Sequence, residues 1–146
     1  MFLSHTLVFL QFLSLGMLFW PLRNNYFLNG WIFSLSCLIL ALGILIWTSR
    51  HNRVGNFNIV PEIKEGCELI ETGPYQFIRH PMYTSVILIG IGALLYSFAL
   101  WKVGVLGFLV FVLYLKAKRE EGYWCAKTPK YREYQGKTDM FIPFVL

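Results

Sequence analysis

The sequence predicts an all-α integral membrane protein, and three observations lead there. Hydrophobic residues make up 56% of the 146 residues and charged residues only 14%, against about 25% charge in ordinary soluble domains. The apolar residues are gathered into runs long enough to cross a hydrocarbon layer of about 30 Å as helices. The charges fall between and beyond those runs, and none precedes Arg23. The expected architecture is one membrane domain over residues 1–146. It has about four transmembrane helices in two hairpins, a cytoplasmic loop and a short helical C-terminal tail.

The first span is expected over about residues 3–20, with Pro21 to stop it. It lacks a basic start and a small-residue cleavage site, so it reads as a retained helix rather than a signal peptide. A short connection, residues 22–29, holds only Arg23 among charged residues. Span two follows over about residues 30–48, with Trp31 and Trp47 near its ends, where tryptophans favour the headgroup layers. Ser49-Arg50-His51-Asn52-Arg53 closes it on a basic note. Residues 54–80 are polar, and Glu62, Glu65, Glu68 and Glu71 break any membrane pattern there. This segment reads as loop, with a turn at Thr72-Gly73-Pro74.

Spans three and four are expected over about residues 82–98 and 102–117. Gly90, Gly92, Gly104 and Gly107 would let these two helices approach closely, as small residues do in bilayers. Lys116, Lys118 and Arg119 mark the exit from span four, and Thr128-Pro129 breaks the tail. The closing Phe141-Ile142-Pro143-Phe144-Val145-Leu146 is expected to pack back onto the membrane face. Cys37, Cys67 and Cys125 are odd in number and widely spaced, so they read as packing residues or free thiols and no metal site is expected. His5 and His51 read as structural.

With four spans, residues 49–81 and the tail share one side of the membrane. Eleven of the thirteen Lys and Arg residues lie on that side, and only Arg23 and Lys102 on the other. The positive-inside bias then puts both termini in the cytoplasm. The net charge of +5 reflects this topology and not a nucleic-acid surface.

A site follows from helix geometry. His80 and Glu120 each lie 20 residues from Leu100, at the tip of the second hairpin. At about 1.5 Å per residue both return to the same depth, roughly 30 Å from that tip. Arg79-His80-Pro81 should therefore meet Glu120-Glu121 at the cytoplasmic mouth of the helix pair. Pro81 fits the first turn of a helix, where its missing N–H is of no consequence. Arg79 and His80 sit just before that turn, beside N–H groups that favour anions. Tyr75 and Tyr83 flank them.

Gly73-Pro74-Tyr75, Arg79-His80-Pro81-Met82-Tyr83, Glu120-Glu121, Tyr131…Tyr134 and Phe141-Ile142-Pro143 also resemble a known signature. It is that of the integral-membrane methyltransferases: the isoprenylcysteine carboxyl methyltransferases, their bacterial relatives, and nearby the phospholipid methyltransferases. The resemblance covers about residues 55–146, with the motifs in 73–85 and 119–143. It implies an S-adenosylmethionine-dependent methyltransferase of a bacterial-type inner membrane. The implied acceptor is lipophilic: an isoprenylcysteine-type carboxylate, another lipid, a thiol or an amine. It implies Arg79 and Glu121 as catalytic residues, and Tyr75, His80, Pro81, Tyr83 and Glu120 as cofactor-binding ones.

The chemistry of that cofactor suits the residues. Carboxylates match its ammonium and hydroxyls, and Arg79, His80 and helix N–H groups match its carboxylate. Tyr75, Tyr83 or Tyr123 can face adenine or the sulfonium. A carboxylate acceptor needs no base, whereas a thiol or amine would use His80 or a Glu. Tyr131 and Tyr134 read as packing residues.

Trp124 stands where the family commonly has Leu, and Thr128-Pro129 where it commonly has Phe-Gly. The implied partners are a lipophilic or prenylated acceptor, membrane lipid and a second copy of the chain, with no nucleic acid. An NADPH-dependent membrane reductase with a similar C-terminal motif is the rival enzyme class, but such reductases have many more spans. A small non-enzymatic carrier is the other rival. It would need an ionisable residue inside the bilayer, and the spans hold no Asp or Glu between their ends.

Overall fold

Where each helix can start and stop decides the architecture. The computed structural model describes residues 2–21, 30–52, 56, 59–63 and 66–143. Five α-helices follow in chain order: α1 Phe2–Leu18, α2 Gly30–His51, α3 Pro81–Tyr96, α4 Leu100–Lys127 and α5 Lys130–Gln135. Among the described residues there is no strand, only an isolated parallel bridge between Ile78 and Asp139. Two helices, α2 and α4, are long and apolar enough to cross a membrane; α1 and α3 are apolar too, at 17 and 16 residues.

Pro81 opens α3 at its first position, and the break at Thr128-Pro129 separates α4 from α5. The end of α4 differs from expectation. Its apolar part stops near residue 117, but the helix continues to Lys127. Charge ends a span without ending a helix: Lys, Arg, Glu and Ala are strong helix formers, and no breaker intervenes before Pro129.

Packing divides the helices into two close pairs, α1 with α4 and α2 with α3. α1 buries Ser4, Leu7, Gln11, Ser14 and Leu18, a stripe spaced three and four residues apart. On α2 the buried positions are small: Gly30, Ser34, Ala41 and Thr48. A Cβ added at Gly92 of α3 would lie 3.2 Å from the Ser34 carbonyl oxygen, so this glycine permits the close α2–α3 approach. Gly104 and Gly107, expected to draw α3 and α4 together, would meet nothing within 4 Å.

The tail packs back onto the apolar helices. Phe141, with Met140 before it, enters the core beside Leu109, Leu113 and Ala117 of α4, and Phe141 is only 1% exposed. Three backbone hydrogen bonds hold the tail along the segment before α3. They run from Arg79 N to Asp139 O (2.8 Å), Asp139 N to Phe77 O (3.0 Å) and His80 N to Met140 O (3.1 Å). Burial of the aromatic ring supplies the drive, and the paired backbone removes the penalty of burying amides. Phe144 to Leu146, and the connection 22–29 with Arg23, lie outside the described residues.

Candidate functional site

A tight 3₁₀ turn over Gly73–Gln76 leads into the site. Gly73 has φ +62°, and a Cβ there would sit 2.4 Å from the His51 ring. Only glycine lets the end of α2 dock on this turn. The turn presents Tyr75, whose hydroxyl accepts from Asn52 Nδ2 (3.1 Å) and whose carbonyl accepts from the Tyr134 hydroxyl (2.7 Å).

The start of α3 and the polar extension of α4 then meet, at the depth that equal spacing from Leu100 requires. Arg79 Nε donates to Glu121 Oε1 at 2.6 Å. Its Nη1 donates to the Gln135 carbonyl at 3.2 Å and to the Thr138 carbonyl. His80 lies with Nε2 3.5 Å from Glu121 Oε1 and Nδ1 3.7 Å from Glu120 Oε2. Its ring stacks on Tyr83, centroids 5.2 Å apart, and the Tyr83 hydroxyl donates to Glu120 Oε2 at 3.1 Å. All seven residues singled out in the sequence therefore fall in one place: Tyr75, Arg79, His80, Pro81, Tyr83 and Glu120 line one cleft, and Glu121 supports it from behind.

That cleft is open at its mouth: the space between its walls, open solvent included, is about 590 Å³. A neighbouring open hollow shares Tyr75, Arg79, His80, Glu120 and Trp124, and reaches Tyr131 and Tyr134. Val60, Ile63 and Met82 give the larger cleft an apolar side.

Electrostatics separate the two carboxylates. Burial pushes the Glu121 carboxyl up, but hydrogen bonds and charge from His80 and Arg79 outweigh it and hold the group at about 2. Glu121 is thus a firm anion at neutral pH. Burial raises the phenols of Tyr75, Tyr131 and Tyr134, so all three stay neutral. Glu121 Oε2 and His80 Nε2 are buried without a hydrogen-bond partner, although Lys118 Nζ lies 3.6 Å from the carboxylate.

Some participants escaped sequence reasoning. Lys116 was expected only to mark the exit of a span. It is 2% exposed, donates to Gln11 Oε1 of α1 at 2.5 Å and lies 5.2 Å from the centre of the Tyr83 ring. The signal was present: Gln11 stands on the spaced stripe of α1, a position that only a polar partner would explain. Glu62 ties the loop to both outer helices, accepting from Ser4 Oγ of α1 and lying 3.8 Å from Arg119 of α4. Trp124 stacks on Tyr131 (5.9 Å between centroids) and lines both hollows.

Fold and site together define a helical membrane protein with a polar cleft where two apolar helices meet their charged extensions. Residues 31–130 match the model of the phospholipid methyltransferase family, and the chain belongs to that family. It is also 31% identical over 83 residues to the nickel-cobalt-cadmium resistance protein NccN of Alcaligenes xylosoxydans xylosoxydans. That match takes in 55% of this chain and 38% of the relative. It is 35% identical over 78 residues to the cobalt-zinc-cadmium resistance protein CzcN of Cupriavidus metallidurans, taking in 51% of this chain and 35% of the relative. The chain thus spans little more than a third of the length of these curated relatives. Among the described residues, no group of three His, Cys, Asp or Glu side chains is placed to hold a metal ion.

Proposed function

We propose that the protein transfers a methyl group from S-adenosylmethionine to a lipophilic acceptor, at a cleft that faces the cytoplasm. The observation that supports this reading is the convergence of His80, Tyr83 and Glu120 on one cleft, with Glu121 behind them and its contact with His80 Nε2 short of a hydrogen bond. Glu120, with its more exposed carboxylate, suits an ammonium or ribose hydroxyls, and Tyr75 and Trp124 suit an adenine face. When bound, S-adenosylmethionine supplies an electrophilic methyl, which the acceptor takes while the carbon–sulfur electron pair stays on sulfur.

The chain's own part is alignment and exclusion of water. Arg79 ties the tail to α4 beside the cleft, through Glu121 and two tail carbonyls. The apolar side at Val60, Ile63 and Met82 suits the hydrocarbon part of an acceptor arriving from lipid. A carboxylate acceptor of the isoprenylcysteine type would need no base; for a thiol or amine, His80 is placed to take the proton. The cytoplasmic orientation rests on the eleven-to-two division of basic residues. A C-terminal reporter active only on the outer face would overturn it.

Calorimetric titration of the detergent-purified chain with S-adenosylmethionine tests the reading. Saturable binding is expected, weakened roughly ten- to a hundred-fold in His80→Ala and Glu120→Gln, as for loss of a charge-assisted hydrogen bond. Helix content by circular dichroism should not change. Absence of saturable binding in the wild-type chain, or wild-type affinity in both variants, would refute it.

A further inference from the structure

The opposite end of the helices holds a second cavity, of about 400 Å³, between the end of α1, the start of α2 and the end of α3. Apolar residues, Leu18, Phe19, Leu38, Ala93 and Tyr96 among them, make most of its wall. Two polar groups are set into that apolar surface. Lys102 is 0% exposed, and its ammonium donates to the Trp20 carbonyl at 3.0 Å. That contact uses one of three donors. Ser97, 4% exposed, has a buried hydroxyl with no hydrogen-bond partner.

Beyond that carbonyl, Lys102 Nζ lies over the Trp101 ring, 5.7 Å from its centre, and among the described residues it has no ion pair. The chain carries no Asp or Glu before Glu62, and none between Glu71 and Glu120. The segments that build this end therefore bring no carboxylate. The cleft with its acids lies at the other end of α3, whose 16 residues span about 24 Å. An ammonium in an apolar wall is costly unless an anion accompanies it. An anion that pairs with Lys102 therefore comes from outside the chain, and the groove beside it is lined for hydrocarbon.

We propose that this cavity binds a phospholipid: the phosphodiester sits on Lys102 and Ser97, and one acyl chain lies along Leu38, Ala93 and Tyr96. The apolar wall favours a lipid headgroup over free phosphate. This lipid site is separate from the methyl-transfer cleft, and its test does not depend on that activity.

The test is native mass spectrometry of the full chain in detergent, titrated with phosphatidylglycerol. Controls are a diacylglycerol with the same acyl chains, and inorganic phosphate. One phosphatidylglycerol per chain should be retained, at least tenfold more tightly than either control. Lys102→Met should weaken it tenfold or more, Ser97→Ala several-fold, and Lys102→Arg little. Leu38→Trp, which fills the groove and leaves both polar groups intact, should weaken it too, and decides the matter if Lys102→Met does not fold. Equal retention by wild type and both Lys102→Met and Leu38→Trp would overturn the proposal. So would diacylglycerol binding as tightly as phosphatidylglycerol, or phosphate alone saturating the site.

Discussion

Removing Arg79 should open the tail. Its guanidinium joins three groups from two elements: Glu121 of α4 at 2.6 Å, and the Gln135 and Thr138 carbonyls of the tail. Arg79→Ala leaves the Glu121 carboxylate, whose side chain is only 3% exposed, with no hydrogen-bonding cation, only Lys118 at 3.6 Å and His80 at 3.5 Å. Breaking a buried ion pair by deleting one partner costs at most about 3–5 kcal/mol, the figure for a fully uncompensated charge. At about 1.4 kcal/mol per decade, that is at most a hundred-fold to a few thousand-fold rise in the open population of the tail. Amide hydrogen exchange reads it directly at Asp139, whose N–H is bonded to the Phe77 carbonyl at 3.0 Å. Exchange there should accelerate by up to that factor in Arg79→Ala, while amides in the middle of α2 keep their protection. If the stranded charge is the cause, Arg79→Ala/Glu121→Gln should recover a large part of the loss. An Asp139 amide still protected within threefold of wild type would refute the clamp. A double variant no better than the single one would refute the electrostatic account of it.

Three further outcomes are expected. The Glu121 carboxyl is held at about 2 against an ordinary 4.5. A lowered folded value gives stability that is present above 4.5 and lost as pH falls toward 2, so tail protection should decline across that window and Glu121→Gln should flatten the decline. Phe141→Ala empties a ring that is 1% exposed in the core and should destabilise the protein by about 3–5 kcal/mol in chemical denaturation. Ile142→Ala, at an exposed position, should cost little. Gly73→Ala combines a positive φ of +62° with a Cβ 2.4 Å from the His51 ring, so it should lower thermal stability by about 1–3 kcal/mol. His51→Ala in the same chain should relieve the steric part.

What the sequence determined by itself is what depends on local chemistry and on a constant rise per residue. Pro21, Pro81 and Thr128-Pro129 bound helices because a missing N–H and a fixed φ act wherever they occur. Equal spacing of His80 and Glu120 from Leu100 placed them at one depth because a helix advances by a fixed step, and their side chains lie 3.7 Å apart. The apolar runs were legible for the same reason, although the end of α4 was not. Hydropathy reports where lipid stops, and propensity reports where a helix stops.

Tertiary structure alone decided which distant side chains share a contact. Nothing local to Arg79 says that it binds tail carbonyls, nothing local to Phe141 says that it enters the core, and Gly92 serves α2 rather than α4. Lys102 and Lys116 looked like ordinary charges at the ends of a span, where a flexible amine reaches water. Each is instead buried, on Trp20 and Gln11 respectively. Their surroundings come from α1, far away in sequence, and depend on which helices pack together; a pattern read along one helix carries no record of that choice.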